Sequence, residues 1–84
     1  MELTELPNIG PVLAENLRKV GIETPEELKK AGTCDAFLRI RTQVDSTACL
    51  HQLEAIEGAA EGVRKSTLSP EKKAELKTFY KNLK

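Results

Sequence analysis

Apolar residues recur along this chain at spacings of three and four, which is the period of an α-helix that buries one face. The first periodic segment lies between two glycines. Pro11 suits the first position of a helix, with Gly10 as its N-cap, and Gly21 suits a left-handed C-terminal cap. The apolar face of this segment consists of Ile9, Leu13, Leu17 and Val20. The pattern therefore predicts a helix from about Pro11 to Val20.

Two further helices are marked by residues typical of helix starts. The sequence TPEE at residues 24–27 predicts a helix led by proline, with Thr24 as N-cap and Glu27 closing a capping box. This short helix should stop near Gly32. Thr33 is predicted to cap a third helix, whose inward residues should be Phe37, Ile40 and Val44.

The second half of the chain is predicted to hold two more helices. Asp45, Ser46 and Thr47 are three candidate N-caps for the longest one. Gly58 within it indicates a close helix crossing or a kink, because glycine is costly inside a helix. The inward residues of this helix should be Cys49, Leu53, Ile56 and Ala60. The last helix should start at Ser69 and bury Leu76, Phe79, Tyr80 and Leu83.

These segments predict an all-α protein of five or six short helices, in a single domain that covers residues 1–84. A composition of 39% hydrophobic and 31% charged residues is typical of an ordinary globular domain. No apolar run approaches the length of a membrane span, and the acidic start of the chain is unlike a secretory leader. We therefore expect a cytoplasmic protein that binds no membrane.

Charge is balanced overall but unevenly distributed. Thirteen acidic and thirteen basic side chains cancel, which argues against a protein that coats nucleic acid through net charge alone. Residues 1–62 hold eleven acidic and six basic side chains, whereas residues 63–84 hold two acidic and seven basic ones. In the last helix, four lysines share one face: Lys73, Lys77, Lys81 and Lys84. That face indicates either an anionic partner or the ordinary solvated side of a terminal helix.

The residues most often used in catalysis or metal binding form no recognisable site. Cys49 and His51 are two positions apart, so in a helix they face away from each other, and Glu54 alone would only hydrogen-bond the imidazole. Cys34 and Cys49 form no CxxC pair and are predicted to be reduced thiols packed inside the protein. Motifs of nucleotide-binding loops, zinc proteases and serine hydrolases are absent. The sequence therefore predicts a non-enzyme that uses no metal and no cofactor.

The stretch LPNIG at residues 6–10 carries the clearest functional pattern in the chain. Asn8 and Gly10 tolerate backbone angles that other residues avoid, and they directly precede a helix. Such a turn can point backbone N–H groups outward at an anion, together with the N-terminus of the helix. The alternative is a tight turn that merely connects two helices.

The stretch, with Ala14 and Leu17 in the helix that follows, resembles a helix-hairpin-helix motif. Residues 1–6 would supply an abbreviated first helix. The resemblance implies that Ile9 plugs the turn into the core and that the turn binds a DNA phosphate without reading a base. The motif usually has glycine where this chain has Asn8, a residue that also accepts the left-handed conformation.

The resemblance extends beyond the turn. Four blocks, LPNIGPVLAENLRKVGIETPEELKKAG, DAFLRI, LEAIEGAAEGV and LSPEKKAELK, are similar in order and spacing to the C-terminal domain of the TfoX/Sxy competence-regulator family. This resemblance covers nearly all of the chain and implies a five-helix domain, here in a stand-alone form. For the full-length regulators it implies a role in switching on DNA-uptake genes alongside another transcription factor. The sequence departs from the pattern at Lys65, where an aromatic residue would be unsurprising.

Together these observations predict a binding module that contacts the DNA backbone weakly and without sequence preference, with a link to competence regulation. The residues predicted to contact nucleic acid are Asn8, Ile9, Gly10, Lys19, Lys73, Lys77 and Lys81. The alternative hypothesis is a protein-interaction or oligomerisation domain in which the hairpin is only structural. Under either hypothesis we expect a monomer or a weak homo-oligomer.

Overall fold

Residues 2–83 are described by the computed structural model, and they form five α-helices and two single turns of 3₁₀ helix. In chain order the elements are η1 (Leu3–Glu5), α1 (Pro11–Lys19), α2 (Pro25–Ala31), α3 (Thr33–Gln43), α4 (Leu50–Glu61), η2 (Lys65–Thr67) and α5 (Pro70–Lys81). This part of the chain contains no strand, so the prediction of an all-α fold is confirmed. Met1 and Lys84, which the sequence assigned to the first helix and to the lysine face, lie outside the described residues.

Helix α4 is the central element, because it packs against α2, α3, α5 and η2. Its Leu53 and Ile56 are fully buried, and they meet the equally buried Phe37 and Ile40 of α3. Helix α1 packs against η1 and α3 and adds Leu17 to the same core. Burying each of these side chains stabilises the fold by about 1.5–3 kcal/mol relative to leaving it exposed.

Tyr80 connects α5 to α3 through contacts of its aromatic ring. Its ring meets the edge of the Phe37 ring, with 6.1 Å between the two centroids. The guanidinium carbon of Arg41 lies 5.4 Å from the centroid of the Tyr80 ring, which is within the range of a cation–π contact. Arg41 also donates from Nη1 to the Ala48 carbonyl at 3.2 Å, so one side chain holds both α5 and the loop before α4.

The predicted starts of α2 and α5 are confirmed. Thr24 Oγ1 accepts from the Glu27 amide at 3.1 Å, and Ser69 Oγ accepts from the Lys72 amide at 3.1 Å. The Glu23 amide donates to Glu27 Oε1 at 2.8 Å. In a strict capping box the donor would be the amide of Thr24, one residue later. These bonds satisfy amides that have no partner inside a helix.

The predicted N-cap of α3 is wrong. Gly32, with φ of 88°, ends α2 and caps α3 at once, and its carbonyl accepts from the Ala36 amide at 3.0 Å. Thr33 is therefore the first residue of the helix, and it is buried. A single glycine serves both helices, because its positive φ lets the chain reverse without a longer loop.

The predicted N-caps of α4 are also wrong. The cap is Cys49, and Asp45 instead accepts from the Thr47 amide at 2.9 Å, which forms a turn inside the preceding loop. Hydrogen bonds from the hydroxyl and amide of Thr47 hold the pKa of the Asp45 carboxyl below its usual value. The Asp45 side chain, which the sequence offered as a cap for α4, is therefore used in a local turn instead.

This later start changes which residues of α4 face inward. Cys49 is exposed rather than buried, and Ala55 and Ala59 complete the buried face, while Ala60 is only half-buried. Cys34, in the first turn of α3, is exposed as well. The prediction that both thiols are packed inside the protein is therefore wrong.

Removing the α2 cap should lower the stability of the whole domain. We expect Thr24→Ala to reduce the free energy of unfolding by about 1 kcal/mol, because the Glu27 amide loses its acceptor. Urea denaturation followed by far-UV circular dichroism measures the change. Thr24→Ser keeps a hydroxyl at the same place and should cost little; an equal loss in both variants would contradict the capping role.

Candidate functional site

The hairpin turn, residues Leu6–Gly10, joins η1 to α1. Asn8 reverses the chain with φ of 69°, and among the described residues it is the one non-glycine with a positive φ. Ile9 is buried, and its amide donates to the Leu6 carbonyl over a long 3.4 Å. Gly10 is extended and exposed, and it is the N-cap of α1. These three consecutive residues form the turn, and their role in binding nucleic acid stays a prediction.

Several backbone amides around the hairpin turn are left without an acceptor. Within residues 2–83, the amides of Asn8 and Gly10 donate no hydrogen bond, and neither do those of Val12 and Leu13 in the first turn of α1. Val12 is 75% exposed, so water or a ligand reaches this end of the helix. Unsatisfied amides at a helix N-terminus carry partial positive charge and favour an anion.

The side chain of Asn8 points into the protein. Its Oδ1 accepts from the Lys65 amide at 3.1 Å, and its Nδ2 donates to the carbonyls of Val63 at 3.0 Å and Ala55 at 3.4 Å. We call these four residues the Asn8 latch. The latch joins the hairpin turn to the end of α4 and the segment after it, and it keeps the carboxamide away from the outer side of the turn.

Gly58 leaves room for the Asn8 latch. A Cβ atom at this position would lie 2.5 Å from Asn8 Nδ2 and 2.7 Å from the Val63 carbonyl oxygen. The sequence predicted a helix crossing or a kink at Gly58; the atoms that come close there belong instead to the Asn8 carboxamide and to the backbone of Val63 and Lys65. The cost of about 1 kcal/mol for glycine inside a helix is offset by the hydrogen bonds that this space allows.

The latch also determines which basic residues adjoin the hairpin turn. Because the Lys65 amide is bonded to Asn8, the segment that carries Arg64 and Lys65 lies beside the turn. Arg64 is exposed and Lys65 is half-buried. The sequence analysis counted both residues in the charge of the C-terminal region and named Lys65 as a departure from the family pattern, but it did not connect either residue with the turn. Asparagine in place of glycine in the turn signals a side chain able to bond backbone groups, but it does not indicate which segment of the chain supplies them.

The lysines that the sequence assigned to the site lie on elements outside the hairpin turn. Lys19 is the last residue of α1, nine residues beyond Gly10, so it lies about 13 Å away along the helix axis. Lys73, Lys77 and Lys81 lie on α5, whose main packing among the described residues is against α4 and not against α1 or η1. Contact of these four side chains with nucleic acid stays a prediction.

The acidic pair Glu57 and Glu61 shows the clearest mutual perturbation of ionisation. Burial raises the pKa of the Glu57 carboxyl, but hydrogen bonds from Glu61 and Thr33 outweigh it and leave the pKa lowered. The hydrogen bond to Glu57 in turn raises the pKa of the Glu61 carboxyl.

Other reactive side chains stand apart from the hairpin turn. His51 is exposed on α4, as expected for a surface residue. Desolvation and the Glu57 carboxylate raise the pKa of the Cys34 thiol above its ordinary value. Residues 2–83 contain no group of three or more histidine, cysteine, aspartate or glutamate side chains placed to hold a metal ion. Among the helices of the same part of the chain, none is long and apolar enough to cross a bilayer.

Comparison with known proteins identifies the family. The chain belongs to the TfoX C-terminal domain family, whose model matches residues 1–80. It is also similar to two crystal structures from Listeria monocytogenes. An uncharacterized protein, in a triclinic form, superposes with a TM-score of 0.96 at 51% identity over 99% of this chain and 93% of that one. A protein of unknown function, in a tetragonal form, gives 0.93 at 51% identity over 98% and 99% of the two chains. No curated protein matches the chain.

Adding a methyl group at Gly58 should destabilise the protein, because it would collide with Asn8 Nδ2 and the Val63 carbonyl oxygen. We expect Gly58→Ala to reduce the free energy of unfolding by about 2–3 kcal/mol, as measured by urea denaturation. Gly10→Ala is the matched control, since no atom lies within 4 Å of its added Cβ. Equal stability of the two variants would mean that Gly58 does not leave room for the latch.

Removing the Asn8 carboxamide should also destabilise the protein. Asn8→Gly relieves the left-handed backbone, so a loss of stability beyond the roughly 0.5–1 kcal/mol that the flexibility of glycine costs comes from the three lost hydrogen bonds. We expect the free energy of unfolding to fall by about 1–3 kcal/mol. Hydrogen exchange measured by NMR should also speed up at the Lys65 amide. An unchanged exchange rate there would exclude the latch in solution.

Proposed function

We propose that this protein is a non-enzymatic binding module that contacts the phosphate backbone of DNA, weakly and without sequence preference, through the hairpin turn. The observation that carries the proposal is the group of amides at Asn8, Gly10 and Val12, which are without acceptors at an exposed helix N-terminus. A phosphate oxygen accepts hydrogen bonds from such amides and is attracted by the helix dipole. Backbone amides that bind phosphate do not distinguish bases, so no sequence preference is expected.

The Asn8 latch supports this proposal in two ways. The carboxamide is engaged with Val63 and Lys65, so it does not cover the outer side of the turn. The same bonds place the chain at Arg64 next to the turn, where a guanidinium can add a charged contact to a second phosphate oxygen. Lys19 and the lysines of α5 would then add long-range attraction rather than direct contacts at the turn.

The number of phosphate contacts sets the expected strength. A single turn with one adjacent basic pair neutralises about one to three phosphates, which corresponds to a slope of about −1 to −3 in a plot of log K against log salt concentration. Such a protein binds weakly alone. Membership of the TfoX C-terminal domain family supports extending the proposal to a role in competence regulation.

The second candidate function is a protein-interaction domain in which the hairpin is structural. This alternative is favoured by the contacts that the turn makes inside the protein. Ile9 packs in the core, and Asn8 bonds the turn after η1 to the end of α4. A turn with those two tasks needs no ligand to explain its residues. The two functions differ in whether the outer amides are used.

The test is fluorescence anisotropy of labelled duplex DNA against the wild-type protein in a salt series. We expect saturable binding at about 50 mM salt with tens of micromolar protein, and loss of that binding as salt rises. Gly10→Asp should abolish it, because a carboxylate at the N-cap would repel the phosphate. The fold should be intact in this variant, since the new Cβ meets no atom within 4 Å and aspartate is a favourable N-cap.

Gly10→Asn is the control for Gly10→Asp, because it has the same shape without the charge and should keep most of the affinity. Arg64→Glu should weaken binding more than Lys77→Glu, since only Arg64 adjoins the turn. Undetectable binding of the wild-type protein at low salt would refute the proposed DNA contact. Equal affinities of Gly10→Asp and Gly10→Asn would show that the hairpin turn is not where DNA binds.

A further inference from the structure

The outer side of α5 carries an open groove that the bundle does not fill. It has a volume of about 480 Å³ and is lined by Ala74, Glu75, Thr78, Phe79 and Asn82. These positions form two adjacent rows on the helix, at spacings of four. Phe79 is half-buried, so part of its ring packs against the core while the remainder faces the groove. The α5 groove therefore offers apolar surface to an occupant outside the molecule.

A row of positive charge borders the α5 groove. Lys77 and Lys81 are exposed and lie three residues after Ala74 and Thr78, which places them beside the groove on the next row of the helix. Among the described residues, neither lysine forms an ion pair. Charge complementarity thus favours an occupant that is acidic.

The protein itself carries an acidic surface of the required sign. Glu23 and Glu26, at the start of α2, are exposed, and within residues 2–83 they form no ion pair. Helix α2 packs against α3 and α4, so these carboxylates lie on a different element from the α5 groove. The formal net charge is zero at pH 7, so no overall repulsion keeps two copies apart.

We propose that the α5 groove is a self-association surface, which receives the acidic start of α2 from a second copy of this chain. The two surfaces are different, so the contact is head-to-tail and builds open-ended oligomers rather than a closed dimer. The contact area offered by one groove is small, so the association is weak and depends on protein concentration. Salt weakens it further, because its specificity comes from exposed charges.

Sedimentation velocity of the full chain tests this proposal. At about 1 mM protein and low salt we expect a weight-average mass at least 1.5-fold above that of the monomer, falling to the monomer value at about 0.5 M salt. A monomer under all of these conditions overturns the proposal.

A charge-reversal mixture tests the specific pairing. Lys77→Glu with Lys81→Glu should be monomeric, and so should Glu23→Lys with Glu26→Lys. A 1:1 mixture of the two double variants should associate again, because each supplies the surface that the other lacks. Glu23→Gln with Glu26→Gln provides a milder acidic-side variant if the reversal perturbs α2, and it should also be monomeric. Failure of the mixture to associate, when each variant is folded, rejects this pairing.

Ala74→Arg separates the groove from simple charge attraction. This change keeps α5 basic but fills the groove, so we expect weaker association, whereas attraction by charge alone would become stronger and overturn the proposal. Gly10→Asp should leave the sedimentation unchanged, which keeps this test distinct from that of DNA binding. If Lys77→Glu with Lys81→Glu lowers DNA affinity and leaves sedimentation unchanged, the lysine row contacts DNA and the self-association surface is refuted.

Discussion

The hydrogen bonds of the Asn8 carboxamide determine how the hairpin turn sits against the rest of the protein. Three hydrogen bonds connect it to the backbone of Ala55, Val63 and Lys65, and these set the hairpin turn against the end of α4. Gly58 has no side chain where the carboxamide enters. Leaving a partly buried carboxamide without hydrogen-bond partners lowers the stability of the protein. The residues at positions 55, 58, 63 and 65 therefore have to suit the side chain of Asn8. The outer amides of the turn remain accessible because this side chain points the other way.

Local signals in the sequence were sufficient for most of the fold. The starts of α1, α2 and α5 each combine a proline with a capping position, and the structure places all three where those residues indicate. The predicted start of α4 was wrong because the Asp45 side chain can either cap a helix or accept a hydrogen bond in a local turn. In the structure it accepts from the Thr47 amide and forms the turn. As a result, Cys49 was expected to be buried in α4, whereas it is exposed at the N-cap.

The site was only partly predictable. The left-handed Asn8 and the buried Ile9 follow from residue types, because few residues accept a positive φ and an isoleucine in a turn needs a core. The direction of the Asn8 side chain depends on a backbone segment far away in the sequence, and a single sequence does not reveal such a pair. The position of the α5 lysines relative to the turn is likewise a property of helix packing, which periodicity within one helix does not contain.

The Asn8 latch has a consequence for how the protein is assembled. Its hydrogen bonds connect residues 47, 55 and 57 positions apart, so they close only after α4 and the segment behind it have folded. The latch is complete only when the backbone at Lys65 is in place. The geometry of the turn is therefore a property of the finished domain, and a chain truncated within α4 lacks the backbone of Val63 and Lys65 that holds the Asn8 carboxamide.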